Sequence, residues 1–267
     1  MILYFSGTGN SKHVALTLSK ILDEKVMAMT PDMRSGMQIQ ISDTHIIWVF
    51  PIYSWGVPPY VMDVIKGINL TDKSSVPIHH AVVTCGDDCG LADRMWRRAI
   101  NKRGWSDGAI LSVQMPNNYV AMMGFDVDSK ELETEKLANS SARITHVAET
   151  ILECEKSETR ITDIVHGNYA WIKTRVIYPW FKRYAMSPEK FSVNESCISC
   201  GKCADMCPLG NISMKKDNSG DKRHPEWGKD CAGCLGCYHT CPVHAIDYAH
   251  ATNGKGQYLN PQIRQNR

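Results

Sequence analysis

The 267 residues, 43% hydrophobic and 22% charged, have the balance of an ordinary folded protein and enough length for two domains. A formal charge of +2 offers no basic stripe for nucleic acid, and no run approaches the roughly 18 apolar residues of a membrane span. The opening MILYFSGTGN lacks a basic stretch followed by an apolar core, so no signal peptide is expected and the chain is assigned to the cytoplasm.

Ile2–Phe5 reads as a first strand, followed by candidate strands Lys25–Met29, Ile46–Phe50, Ile78–Thr84 and Ala109–Met115. Between them, Ser11–Leu22, Pro58–Ile68 and Leu91–Lys102 carry apolar residues at three- and four-residue spacing, and Lys130–Cys154 is a fourth long helix. Short apolar strands separated by helices predict a parallel sheet covered on both faces, a doubly wound α/β domain.

Ser6, Gly7, Thr8, Gly9, Asn10 and Ser11 join the first strand to the first helix. Free amides at a helix N-terminus, with three hydroxyls beside them, suit a phosphate. The third glycine of a dinucleotide fingerprint is absent, and no Gly-Lys-Ser/Thr follows for a Walker loop. The loop resembles that of flavodoxin-like proteins, which cradle the FMN phosphate without a basic side chain. That resemblance implies a five-stranded sheet and an isoalloxazine site between two further loops. The first is Pro51, Ile52, Tyr53, Ser54, Trp55 and Gly56, with Tyr53 or Trp55 stacking on the ring. The second is Thr84, Cys85, Gly86 and Asp87. Cys85 and Cys89 could form a redox pair, but are expected to be ordinary loop residues, Cys85 lining the flavin site; Cys154 is expected to be structural.

Asn168–Tyr184 predicts a connecting helix, broken or bent at Pro179. Its aromatic and basic residues could touch a membrane, but packing between two domains is the expected role. From Ser187 the chain turns rich in Cys, Gly, Pro and Asp, a composition that needs metal centres to hold a small core.

Eight of the 11 cysteines lie there. Cys197, Cys200, Cys203 and Cys207 precede Pro208 with C-x2-C-x2-C-x3-C-P spacing, and Cys231, Cys234, Cys237 and Cys241 repeat it before Pro242. Three thiolates of a cubane come from one tight loop, and the fourth crosses from the other half. One [4Fe-4S] cluster is therefore expected on Cys197, Cys200, Cys203 and Cys241, and the other on Cys231, Cys234, Cys237 and Cys207. Structural zinc is the alternative, but leaves the matched Cys-Pro endings unexplained. His224, His239 and His244 are given no ligand role. The segment resembles bacterial two-cluster ferredoxins, except for a polar excursion between the halves that reads as a solvent-facing loop or hairpin.

With Met115-Pro116-Asn117-Asn118-Tyr119, which adds Asn118 and Tyr119 to the flavin-site candidates, the whole chain resembles the flavodoxin–ferredoxin fusion proteins of anaerobic bacteria and archaea. The resemblance implies a flavodoxin-like FMN domain over 1–155, an aromatic helical connector over 156–187, and a small α+β ferredoxin-like domain with a C-terminal tail over 188–267. It implies FMN, two [4Fe-4S] clusters, and electron transfer with a redox protein partner. The alternative is direct reduction of a small acceptor such as a quinone, nitro compound or metal complex. Transfer is expected within one chain, with a homodimer as the competing route.

Overall fold

The computed structural model describes residues 1–41, 44–72, 77–216 and 222–264. Strands β1 (Ile2–Tyr4), β2 (Val26–Ala28), β3 (Gln38–Ile41), β4 (His45–Pro51), β5 (Asn69–Asp72), β6 (Ile78–Cys85), β7 (Ser106–Gln114) and β8 (Thr162–Asp163) alternate with helices α1 (Asn10–Leu22), α2 (Pro59–Gly67), α3 (Ala92–Lys102) and α4 (Lys130–Ser157). The main sheet runs β2-β1-β4-β6-β7-β8, and every neighbouring pair in it is parallel. Setting aside the separate β3–β5 pair, its first five strands have the 2-1-3-4-5 order of the flavodoxin-like fold.

Successive side chains of a strand point to opposite faces, and the core divides accordingly. Ile2, Ile47, Val49, Val82 and Leu111 pack with Val14 and Leu18 of α1 and Ile144, Val147 and Ile151 of α4. Leu3, Phe5, Trp48, Phe50 and Val83 pack with Val61, Val64 and Ile65 of α2 and Trp96 and Ile100 of α3.

The structure corrects the expected five strands to six. The sixth, β8, lies inside the expected connector. Two residues carry no periodicity, and arginines from the domain hold them at the edge. Arg143 Nη1 reaches Asp163 Oδ2 at 2.6 Å, and Arg97 Nη2 donates to Ile161 O at 2.8 Å and Thr162 Oγ1 at 3.0 Å. The connecting helix, 170–184, is α-helical at both ends with a π-helical stretch, Lys173–Ile177, just before Pro179. Such a stretch is a usual adjustment where a helix contains an irregularity. Its buried face is tied to the flavodoxin-like domain: Thr174 Oγ1 accepts from Leu91 N and donates to Trp55 O, both at 2.8 Å, and the Tyr178 hydroxyl donates to Val57 O.

In the C-terminal part, β9 (Phe191–Val193) pairs antiparallel with β12 (Ile246–Tyr248), and two short helices, Lys202–Met206 and Gly236–Thr240, carry the cysteine loops. The polar excursion forms a hairpin of β10 (Ile212–Lys216) and β11 (Arg223–Trp227); its residues 217–221 lie outside the described residues. Phe191 stacks on Trp227 at 5.2 Å and meets Tyr248 edge-on at 4.8 Å, so aromatic packing supplements a core made largely of cysteine loops. Among the described residues, no helix is long and apolar enough to cross a membrane.

His79 of β6 is completely buried; its Nδ1 accepts from Trp48 Nε1 at 2.9 Å and its ring stacks on Trp105 at 4.5 Å. Burial lowers its pKa from 6.5 to about 3. The unfolded chain therefore binds a proton at pH values where the folded chain does not, and stability falls as pH drops from 6.5 towards 3. Between about pH 7 and about pH 5 this one group should cost about 2 kcal/mol in urea unfolding. His79→Phe should remove that part of the slope; an unchanged pH dependence would reject the assignment.

Candidate functional site

The loops after β1, β4 and β6 leave the carboxyl ends of the sheet, where open α/β sheets bind ligands. They meet in a narrow polar cavity of about 90 Å³. Of the residues singled out from the sequence, Ser6, Gly7, Thr8, Asn10, Ser11, Pro51, Ile52, Tyr53, Thr84, Cys85, Gly86, Asn118 and Tyr119 line it. Ser54, Trp55 and Asp87 line an adjoining cavity of about 580 Å³ that shares Ile52, Cys85, Gly86, Asn117 and Tyr119 with the first. Gly9 and Gly56 line neither; Gly9 backs onto Asn260 and Ile263, and Gly56 onto the Tyr178 ring.

None of the residues lining the narrow cavity is charged. An anion there would rely on hydroxyls and on the amides at the start of α1. Thr8 Oγ1 accepts from Asn118 Nδ2 at 2.5 Å, which leaves its own proton available. Asn10, by contrast, is fully engaged: it donates to Pro116 O at 3.0 Å and accepts from Tyr258 at 2.6 Å and Asn260 at 3.1 Å. Asn10 thus fixes the loop.

Between Tyr53 and Gly56 a two-residue hairpin turn closes, with N–H···O bonds of 3.0 Å in both directions. Its central residues, Ser54 and Trp55, have φ of 43° and 63°, a geometry that usually calls for Asn-Gly. A bulky residue held there stores strain of about 1–3 kcal/mol. Lys173 lies 5.0 Å over the indole, and Thr174 holds the Trp55 carbonyl, so the connecting helix fixes Trp55 in the cavity wall.

The eight cysteines fall into two groups of four. Cys197, Cys200, Cys203 and Cys241 line one cavity, and Cys207, Cys231, Cys234 and Cys237 another. Among the described residues no three His, Cys, Asp or Glu side chains form a group that would hold a single metal ion. Backbone amides donate to the sulfurs of Cys207 from Asn211 at 3.3 Å, of Cys231 from Gly233 at 3.4 Å, and of Cys241 from Ala245 at 3.2 Å. Such bonds stabilise thiolate charge and tune cluster potential. Burial pushes the thiol of Cys203 up to about 11, that of Cys234 up to about 12, and those of Cys231 and Cys237 upward as well. A bound cluster would have to displace those protons, so its binding strengthens with pH. Four thiols around each space, with amides aimed at sulfur, fit an iron-sulfur cubane.

The two regions touch. Cys234 is in the lining of both the second thiol cavity and the narrow polar cavity. A Cβ on Gly7 would sit 2.7 Å from Cys234 Cβ and 2.7 Å from its carbonyl oxygen, so only glycine allows this approach. Arg34 grips Asp230 with both guanidinium nitrogens beside the same cysteine loop, and this pairing lowers the Asp230 pKa.

Several residues of the site had no role assigned from the sequence. His239 accepts the Tyr258 N–H at Nδ1, 3.1 Å away, so Nε2 carries the proton and donates to Asn118 O at 2.7 Å. Burial lowers its pKa to about 4. It ties the second cysteine helix to the loop after β7. The C-terminal segment acts as a strap: Asn260 N donates to Thr8 O at 2.9 Å, and Lys255 Nζ to Val120 O and Met122 O at 2.8 and 2.5 Å. Asn117, in both cavity walls, is held by Asp128, with N and Nδ2 at 2.9 and 3.1 Å. Cys154 donates to Thr159 O at 2.9 Å, away from either cavity.

Residues 182–246 match the family model of the 4Fe-4S dicluster domain. An uncharacterized ferredoxin of Methanocaldococcus jannaschii is 38% identical over 61 residues, which cover 23% of this chain and 78% of the ferredoxin. Through this segment the chain belongs to the ferredoxins. The pyruvate synthase subunit PorD of the same organism is 40% identical over 53 residues, 20% of this chain and 57% of that subunit. A flavodoxin of Streptococcus pneumoniae TIGR4 aligns with 57% of this chain and 96% of its own at 18% identity, with a TM-score of 0.35; the strand order alone defines the N-terminal fold.

Proposed function

We propose that the chain carries electrons between one-electron partners and FMN through two [4Fe-4S] clusters. Cys197, Cys200, Cys203 and Cys241 would hold one cluster, and Cys231, Cys234, Cys237 and Cys207 the other. Ser6, Thr8, Ser11 and the amides opening α1 would hold the phosphate, with the ring between the Ile52–Trp55 and Thr84–Asp87 turns. When bound, the flavin supplies two-electron chemistry and each cluster one-electron chemistry. The observation that carries this reading is Cys234, a wall residue of both a thiol cavity and the flavin-side cavity within one chain. It favours transfer within the chain over transfer across a dimer.

The wider cavity supports a second reading, an FMN-dependent reductase of a small acceptor. Its volume of about 580 Å³ lies in the range that buries a whole small ligand, and Trp55, Tyr119, Phe125, Trp180 and Phe181 offer flat apolar surfaces.

Anaerobic reconstitution tests the proposal. Iron and sulfide should each reach about eight per chain, with one FMN; zinc alone, or FAD in place of FMN, would reject it. Thr8→Val should weaken FMN binding by roughly 10- to 100-fold, as expected for a charge-assisted hydrogen bond of about 1.5–3 kcal/mol. Fluorescence titration reads this directly, and an unchanged affinity would remove Thr8 from the phosphate site.

A further inference from the structure

Of the three cysteines left over from the cluster assignment, two lie close together in the sequence, outside both thiol cavities. Cys85 ends β6, and Cys89 lies four residues on, in the turn leading to α3. Both belong to the same buried cluster, and Cys85 acts on the Cys89 thiol. Cys85 lines the narrow polar cavity and the wider one, whereas Cys89 is completely buried and lines neither.

The backbone pins both. The Cys85 carbonyl accepts from Met115 N at 2.8 Å; Cys89 N donates to Val165 O at 2.7 Å, and its carbonyl accepts from Ala92 N at 3.2 Å. Two interacting thiols in one buried cluster, on fixed backbone positions, one facing a cavity and one shielded, suit an exchanging cysteine and its resolving partner. Cys85 and burial both raise the Cys89 pKa, so Cys89 stays a thiol while Cys85 meets whatever enters the cavity.

We propose that Cys85 and Cys89 form a redox-active dithiol that exchanges an electron pair with the flavin bound in the adjoining cavity. This rests on the FMN reading above. In the oxidising direction the two S–H bonds break and the Cys85–Cys89 S–S bond forms. Two electrons and two protons pass to the oxidised flavin, which becomes the dihydro form. The reverse step returns them and splits the disulfide. The pair would store the electron couple that single-electron clusters cannot deliver at once, beside the cavity where an acceptor would bind.

The test needs no turnover assay. Trypsin cuts after Lys73 and Arg94, and the peptide between them contains Cys85 and Cys89 but no other cysteine. Cluster-loaded, flavin-free protein is equilibrated in buffers of reduced and oxidised dithiothreitol, then alkylated and digested. The peptide should convert between a doubly alkylated form and an unalkylated disulfide form two hydrogens lighter than the free dithiol, with a midpoint between the buffer extremes. The reduced protein, cleared of dithiothreitol, should then bleach added FMN under anaerobic conditions in step with disulfide formation in that peptide. Cys89→Ala, which touches neither cavity, should still quench FMN fluorescence on binding but should form no disulfide and lose the matching bleaching.

Absence of disulfide at every buffer ratio would overturn the proposal. So would a disulfide that forms in the buffers yet does not exchange with bound FMN. Lack of fluorescence quenching in the unmodified protein would instead defeat the FMN reading, and the proposal would fall with it.

Discussion

Replacing Cys207 with alanine should empty the site walled by Cys231, Cys234 and Cys237, although Cys207 belongs to the first motif. Iron should fall from about eight to about four per chain, and the signals that survive should be those of the set on Cys197, Cys200 and Cys203. Cys241→Ala should do the reverse. The reason is conformational. Each fourth cysteine follows a five-residue helix and leaves it in extended backbone, with φ and ψ of −68° and 113° at Cys207 and −69° and 114° at Cys241. A proline follows each and prevents the helix from continuing. The near-identity of these angles across an internal repeat sends each sulfur out of its own loop and into the cavity of the other half. Mössbauer and EPR spectra of the two variants, compared with iron content, separate the clusters. Loss of the Cys197 set in Cys207→Ala would show that ligation stays within each motif.

Those cysteines were legible because their chemistry demands fixed spacing, and the loops of the narrow cavity because each follows a strongly apolar strand. The first loop reads as an anion cradle from Ser6 to Ser11 whatever packs behind it. Boundaries shifted by only a few residues, since strand ends such as Tyr4 and Cys85 depend on pairing partners rather than on side-chain type. The features that escaped are held by hydrogen bonds. The strap from Lys255 to Asn260 is polar and carries no apolar period, yet it closes on Thr8, Asn10 and Val120. β3 did leave a trace in its alternation, Gln38 and Gln40 exposed and Ile39 and Ile41 buried, but four residues are too few to separate from a loop. His239 stands inside a cysteine motif, where its spacing says nothing; only the approach of Asn118 and Tyr258 gives it a role. Trp55 shows the converse case: the sequence marks an aromatic near the ring, but not the strained turn that aims it.

Gly7→Ala should slow electron passage between the second cluster and FMN several-fold while leaving both cofactors bound. The added Cβ would stand 2.7 Å from Cys234 Cβ and 2.7 Å from its backbone oxygen, inside any real contact distance. Neither neighbour is the free end of a flexible side chain, so the cysteine loop or the phosphate loop must move. Overpacking of this kind costs about 1–3 kcal/mol, and the Arg34–Asp230 pair and the His239–Asn118 bond would resist the displacement at two other points of the same interface. The variant should therefore unfold at lower denaturant concentration and pass electrons more slowly, with iron and flavin content unchanged. Rapid mixing of cluster-reduced protein with its flavin oxidised reads the step as bleaching of the flavin. In the unmodified protein its rate constant should be independent of protein concentration, because Cys234 and Gly7 meet within one chain. A rate that scales with concentration would move the transfer to a second subunit. A Gly7→Ala rate equal to the wild type, despite a measured loss of stability, would mean that electrons reach the flavin by a route that does not pass Cys234.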